Sequence, residues 1–149
     1  SVYGFALSIL KQQHLAEDIM QETYIRVYQS ASRYKSQNKP MAWVLTIVKN
    51  LSYNTLGRKS AQELSLEEEW VGTAKDFTEA SIDNLVLKAM LNTLTLEERQ
   101  IITLNSVVGL KFKEIAAILD LPLSTTLSKN YRALSKLKKR VKEEANENN

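Results

Sequence analysis

Residues 109–142 read GLKFKEIAAILDLPLSTTLSKNYRALSKLKKRVK, and their pattern sets the architecture of the C-terminal half of the chain. Four apolar residues recur at helical spacing and predict a short helix: Phe112, Ile115, Ala116 and Leu119. Asp120-Leu121-Pro122 predicts a tight turn, after which Ser124 caps a long helix that runs to about Glu144. A short helix, a turn and a longer helix make a helix-turn-helix, which we predict between Phe112 and Lys139.

The long last helix carries the donors that DNA binding requires. Seven Lys/Arg and no acidic residue lie between Lys129 and Lys142, and such cations neutralise phosphates. Hydroxyl, ammonium and guanidinium groups near the start of the helix suit phosphates and base edges: Ser124, Thr125, Thr126, Ser128, Lys129, Arg132 and Lys136. Taken alone, the same pattern also fits a helical hairpin with a solvated basic face.

Composition excludes several classes of protein. Of the 149 residues, 44% are apolar and 25% are charged. These fractions are typical of folded domains and argue against a disordered chain. Four glycines and two prolines favour helices. The lack of cysteine excludes a disulfide scaffold and a thiolate metal site, and it fits a reducing compartment. No apolar run reaches the roughly 18 residues of a membrane span, and we expect a cytoplasmic protein.

Charge is distributed in three blocks. Residues 1–59 carry eight Lys/Arg against three Asp/Glu, residues 60–87 carry one against seven, and residues 88–149 carry eleven against seven. Two basic blocks that flank an acidic strip suit a protein with one polyanion-binding task in each block. We therefore predict a domain over 1–59, an acidic linker over 60–79 and a second domain over 80–149.

The N-terminal block predicts a three-helix bundle. Its first helix spans Val2 to about Gln13, and the core face comprises Val2, Phe5, Ala6 and Ile9. The second spans Leu15 to about Arg33, and its predicted core face comprises Met20, Tyr24, Val27, Tyr28 and Ala31. Pro40 opens the third helix and Gly57 ends it. The core face of this third helix comprises Met41, Val44, Leu45, Val48 and Leu51.

The C-terminal block predicts four helices, so the whole chain is all-α. The first of them spans about Glu79–Asn92. The second begins at Thr95, which forms a capping box with Glu98, and it runs to Val108 before Gly109. The third and fourth are the two helices of the helix-turn-helix. The predicted fold is thus a three-helix bundle and a four-helix domain joined by an acidic linker.

The sequence contains no recognisable set of catalytic residues. His14 is the only histidine, and it lies at a predicted helix junction where packing or exposure explains it. The Glu67-Glu68-Glu69 run belongs to the acidic linker, and no glycine-rich phosphate loop is present. We predict a protein that is not an enzyme and that holds no metal or cofactor.

Two sets of motifs resemble one known family. Residues 94–100 (LTLEERQ), 109–129 and 132–137 (RALSKL) resemble the C-terminal domain of bacterial sigma factors. Residues 16–28 (AEDIMQETYIRVY) and 43–51 (WVLTIVKNL) resemble helices of the N-terminal domain of the same family. Because both halves occur in the right order, the chain resembles a sigma factor of the extracytoplasmic-function (ECF) type. Members usually carry a further turn or two upstream, so we expect a trimmed piece of a longer protein.

The resemblance implies three binding surfaces. The clamp of the largest subunit of core RNA polymerase would contact a stripe on the second helix: Asp18, Gln21, Glu22 and Ile25. The melted strand of the −10 element would contact the third helix and the loop before it: Tyr34, Lys35, Asn38, Trp43, Lys49, Asn50 and Tyr53. Stacking aromatics and amides are what unpaired bases require, although Trp43 is equally suited to the core. The helix-turn-helix donors named above would contact the −35 duplex.

The implied function is a transcription initiation factor that directs core polymerase to promoters, with an anti-sigma protein as a further partner. Two alternatives stay open on the residues: a helix-turn-helix regulator that binds DNA without polymerase, and a helical module controlled by an anti-sigma partner.

The last helix departs from the family pattern in its apolar register. Thr126 stands where the family has a buried valine, and Asn130 stands at a usually apolar position. The apolar residues therefore predict a core stripe of Leu127, Tyr131 and Leu134, one residue later than usual. Lys111 also replaces the usual Ser/Thr cap before Phe112, which we expect to weaken that helix start by about 1 kcal/mol.

Overall fold

The computed structural model describes residues 1–34, 39–62 and 92–147, without the side chains of residues 59–62. These parts contain six α-helices and no strand: α1 Val2–Leu10, α2 Gln13–Ser30, α3 Pro40–Gln62, α4 Leu96–Ile102, α5 Phe112–Leu119 and α6 Leu123–Glu147. The all-α class is confirmed. The chain divides into two compact units, residues 1–68 and 69–149. The linker from residue 63 onward and the predicted helix over Glu79–Asn92, apart from its helical last residue Asn92, lie outside the described residues.

Helix α1 is the centre of the N-terminal unit. It packs against both α2 and α3, and seven of its residues are buried: Val2, Phe5, Ala6, Leu7, Ser8, Ile9 and Leu10. The four core residues predicted on α1 are among them. A helix that is apolar on nearly all sides must lie inside a bundle, because no face of it can meet water without cost. Lys11 ends α1 in the left-handed region, with φ of 59°, and its N–H donates to the Leu7 carbonyl at 2.9 Å.

Helix α2 turns a different face inward from the one predicted. Its buried residues are Ala16, Ile19 and Thr23, and the Thr23 hydroxyl donates to the Ile19 carbonyl at 2.7 Å. The prediction of Tyr24, Tyr28 and Ala31 in the core is wrong, because all three are exposed, Tyr28 by 86%. Small residues at positions 16 and 23 let α2 approach its neighbours closely, and a threonine whose hydroxyl is bonded to its own helix is buried without an unmade hydrogen bond.

Helix α3 contributes Leu45, Val48 and Leu51 to the core, as predicted, whereas Met41 is exposed. Gly57 was predicted to end this helix, and that prediction is wrong because α3 continues to Gln62. Glycine in a helix interior costs roughly 1 kcal/mol relative to alanine. That cost weakens a helix without breaking it when the flanking turns favour helix.

In the C-terminal unit, the predicted cap of α4 is present. The N–H of Glu98 donates to the Thr95 hydroxyl at 3.3 Å, and α4 begins at Leu96. A single π-helical turn over Thr103–Val107 continues it. Gly109 then reverses the chain with φ of +87°, a conformation that glycine adopts at no steric cost.

The core of this unit lies between α4 and α6. It contains Leu94, Ile102 and Ala133, with Leu137 packed against them. Arg99 is also buried, and its guanidinium donates from Nη1 to the Leu94 carbonyl at 2.8 Å. Burial lowers the pKa of the Arg99 guanidinium.

Candidate nucleic-acid interface

The helix-turn-helix forms with the first helix bounded as predicted, at Phe112–Leu119. The buried face of α5 comprises Ile115, Ala116 and Ile118, and α5 packs against α6. Asp120 takes the left-handed conformation that ends α5, with φ of 56°. The N–H of Leu121 then donates to the Ala116 carbonyl at 2.9 Å, which tightens the turn. The N–H of Lys111 donates to the Glu114 carboxylate at 3.3 Å, so the start of α5 keeps half of a capping box.

The start of α6 corrects the predicted cap. The helix begins at Leu123, and the Pro122 carbonyl accepts from both the N–H and the hydroxyl of Thr126, each at 3.0 Å. Ser124 therefore lies inside the first turn, where it is exposed, and does not cap the helix. A proline before the helix supplies a carbonyl acceptor without needing a partner for an N–H.

The register of α6 also differs from the prediction. Thr126 and Ala133 are fully buried, whereas Leu127, Tyr131 and Leu134 are exposed. The predicted core stripe of Leu127, Tyr131 and Leu134 is therefore wrong, and the buried residues lie one position earlier, at Thr126 and Ala133. Thr126 fits the core because its hydroxyl is bonded to the Pro122 carbonyl. This burial removes Thr126 from the predicted −35 contacts, since a side chain with 0% exposure presents nothing to a groove.

The remaining predicted −35 residues fall into two groups. Ser124, Ser128 and Arg132 face solvent, and the Ser128 hydroxyl donates to the Ser124 carbonyl at 3.0 Å. Thr125, Lys129 and Lys136 are half-buried. The exposed group therefore presents its hydroxyl and guanidinium groups to solvent.

Two of the half-buried cations are held by acids of α4. Lys129 Nζ lies 2.8 Å from Glu97 Oε2. Lys136 Nζ contacts both carboxylate oxygens of Glu98, at 2.8 and 3.0 Å. The Glu98 side chain is only 5% exposed, so Lys136 neutralises a buried charge. The sequence did not predict these two ion pairs, because each joins residues more than thirty positions apart.

In the N-terminal unit, Tyr34 and Trp43 stack on each other. Their ring centroids lie 4.6 Å apart with an angle of 26° between the planes. Trp43 is half-buried, so it belongs neither wholly to the core nor wholly to the surface. The Tyr34 hydroxyl is buried and has no hydrogen-bond partner in the described part of the chain. The structure thus joins two of the residues predicted for the melted strand; Lys35 and Asn38 lie outside the described residues.

Asn50 lies on the same side of α3 as Trp43. Seven residues separate them, which is about two turns and roughly 10 Å along the helix axis. Asn50 and Tyr53 are exposed, and Lys49 is half-buried. An aromatic stack and an exposed amide therefore follow one another along a single helix face.

The predicted polymerase stripe on α2 is exposed throughout: Asp18, Gln21, Glu22 and Ile25. Tyr24 and Tyr28 lie beside it, and they were missed because their spacing was assigned to the core. The one histidine, His14, is exposed. Within the described helices, no segment combines the length and the apolar content that crossing a bilayer requires.

The sequence matches two family models, one for each unit. Residues 1–62 match Sigma-70 region 2 and residues 84–137 match Sigma-70, region 4. Over 138 residues the chain is 30% identical to the ECF RNA polymerase sigma-E factor of Salmonella typhimurium strain LT2, covering 83% of this chain and 72% of that protein. The chain belongs to the ECF sigma factors.

This sigma factor has similar relatives across distant bacteria. It is 28% identical to the ECF sigma factor SigM of Bacillus subtilis over 142 residues, which cover 92% of this chain and 86% of that protein. Its fold is similar to that of the sigma factor RpoE of Bartonella quintana, solved in complex with the anti-sigma factor NepR. That match has a TM-score of 0.78 and 25% identity, and it covers 95% of this chain and 89% of the other. The protein is a sigma factor that acts in transcription initiation.

Proposed function

We propose that the two units of this sigma factor read the two elements of a promoter while α2 holds core RNA polymerase. The observation that carries this proposal is the register of α6. Because Thr126 faces the core, the hydroxyls of Ser124 and Ser128 and the guanidinium of Arg132 face outward together. A helix of this kind, preceded by a short bracing helix, presents its first turns to the major groove.

The C-terminal unit binds the −35 duplex. The hydroxyls of Ser124 and Ser128 can hydrogen-bond phosphates or the donors and acceptors of base edges. The Arg132 guanidinium can donate to the O6 and N7 acceptors of a guanine. The later cations of α6 add attraction for phosphates that carries no sequence information. Lys129 joins this contact set once its ion pair with Glu97 opens.

The N-terminal unit binds the melted strand of the −10 element. The Tyr34–Trp43 stack offers aromatic surface to a base, and Asn50 offers an amide to a base edge. Lys49 and Tyr53 extend this surface. An unstacked base can use both features, whereas a base inside an intact duplex cannot stack on the rings.

The exposed face of α2 binds the clamp of the largest polymerase subunit. Its carboxylates and amide surround one exposed aliphatic side chain, Ile25, and the exposed ring of Tyr24 adjoins it. Glu22 shares its charge with Arg26 of the same helix, at 3.2 Å, and the Asp18 carboxylate beside apolar side chains suits a basic protein surface better than DNA. An anti-sigma protein is a further partner, supported by the complex that the Bartonella relative forms. All these tasks are binding tasks, so we propose a protein without catalytic chemistry. Because its proposed partners are RNA polymerase and promoter DNA, we also propose that it acts in the cytoplasm.

Co-purification with bacterial core RNA polymerase tests the proposal. We expect the full chain to bind core polymerase, and Ile25→Asp to weaken that binding by at least about tenfold through a desolvated charge. Glu17→Gln, an exposed change on the same helix, is the matched control. Tight duplex binding without any association with core polymerase would favour a polymerase-independent regulator.

A further inference from the structure

Leu127 is an apolar side chain on the reading face of α6. It is 45% exposed, in the second turn of a helix whose first two turns we propose for the major groove. Its neighbours on the helix surface are Ser124, three residues earlier, and two exposed side chains four residues before and after it, Leu123 and Tyr131. No role in the core explains it, because the core register passes through Thr126 and Ala133.

The chemistry of a leucine limits what it reads in a groove. Its side chain neither donates nor accepts hydrogen bonds, so base-edge nitrogen and oxygen atoms offer it nothing. The major-groove edge of a base pair carries one apolar group, the C5-methyl of thymine. A leucine that reaches the base edges therefore distinguishes a thymine from every other base by contact with that methyl.

We propose that Leu127 reads the C5-methyl group of a thymine in the upstream promoter element. The inference rests on the proposed function, in which α6 enters the groove of that element. The surroundings of Leu127 favour DNA over a protein partner. Ser124 lies one turn before it on the helix surface, and no acidic residue occurs between Asp120 and Glu143 to repel phosphates or attract a basic partner, whereas seven Lys/Arg lie between Lys129 and Lys142.

Deoxyuridine provides the probe, because it differs from thymidine only by the C5-methyl. Duplexes that bind the full chain are first selected from a random pool, and each thymine of the selected site is then replaced by deoxyuridine. We expect one replacement to weaken binding about fourfold, as the loss of one buried methyl predicts. With the Leu127→Ala variant, deoxyuridine at that position should not change DNA binding. Deoxyuridine at each other thymine should have the same effect on the variant as on the unchanged chain.

Leu134→Ala is the matched control. Leu134 is an exposed leucine two turns further along α6, so its loss should leave the deoxyuridine effect intact. Because both side chains are exposed, both variants should fold, and circular dichroism checks that they do.

Three results would overturn the proposal. Sequence-specific binding in which no deoxyuridine effect depends on Leu127 rejects it while leaving the proposed −35 contact in place. Unchanged DNA discrimination by Leu127→Ala with weakened binding to core polymerase assigns Leu127 to a protein interface instead. Absence of any sequence preference in the selected duplexes rejects both the inference and the proposed reading by α6.

Discussion

Lys129 of α6 and Glu97 of α4 form an ion pair, with Nζ and Oε2 2.8 Å apart. Glu97 is in the first turn of its helix and Lys129 is in the second turn of the helix proposed to enter the groove. Both side chains are partly open to solvent. In the proposed complex the Glu97 carboxylate and a DNA phosphate would therefore compete for the same Lys129 ammonium group.

Replacing Glu97 with glutamine should strengthen duplex binding. The expected gain is up to about fivefold, the range of a single partly exposed ion pair. The slope of log K against log salt should steepen by about one, because one more cation meets phosphate. Fluorescence anisotropy at several salt concentrations measures both quantities. Glu17→Gln has the same charge change in the other unit and serves as the control; an equal gain there would assign the effect to net charge alone.

The second ion pair, between Lys136 and Glu98, should matter for stability. Lys136→Met leaves a buried carboxylate without this cation, and we expect a loss of about 1.5–3 kcal/mol in the free energy of unfolding. Hydrogen exchange of the α4 and α6 amides reports on this unit directly. Lys138→Met removes an exposed lysine of the same helix and should change little. Equal losses in the two variants would show that Glu98 does not depend on Lys136.

The Tyr34–Trp43 stack predicts different effects for two changes at one position. Tyr34→Phe keeps the stack and removes a buried hydroxyl that has no partner in the described residues, so stability and promoter opening should be preserved. Tyr34→Leu loses the ring pair, worth about 0.5–1.5 kcal/mol beyond its buried area, and should reduce promoter opening. Permanganate reactivity of melted thymines measures the opening. Loss of opening in the phenylalanine variant would mean that the hydroxyl contributes through a contact that the stack does not explain.

Two glycines should respond to alanine with opposite signs. Nothing lies within 4 Å of a Cβ added at Gly57 or Gly109, so the backbone decides each outcome. Gly57→Ala in the interior of α3 should raise stability by about 0.5–1 kcal/mol. Gly109→Ala must hold φ of +87° and should lower stability by more than about 1 kcal/mol. Urea unfolding measures both, and a stabilising effect at Gly109 would contradict the left-handed turn.

The reliable predictions from sequence concern features set by local chemistry. The Thr95 cap and the bounds of α5 follow from residues within one or two turns, and the structure confirms both. The resemblance to ECF sigma factors likewise predicted the family correctly, because its motifs occur in both units. These two local signals depend little on what packs against them.

Two local signals failed, the Gly57 helix end and the Ser124 cap, and the other errors concern which face of a helix is buried. Tyr28 and Leu127 are apolar at helical spacing, yet both are exposed, while two threonines, Thr23 and Thr126, are buried. Each threonine donates its hydroxyl to a carbonyl four residues earlier, which polarity scales do not register. A core face predicted from apolar spacing is therefore displaced in two ways. It includes apolar residues that are exposed, and it omits threonines that are buried.

Run-off transcription with bacterial core RNA polymerase tests the central claim, that the two units jointly direct polymerase to promoters. Transcripts should start at defined sites only when the chain is present. Asn50→Ala and Arg132→Ala should each reduce them by about tenfold or more, whereas Asn54→Ala and Arg58→Ala, exposed residues of the same types on α3, should not. Promoter-specific transcripts that survive both site changes, or none with the unchanged chain, would contradict the account.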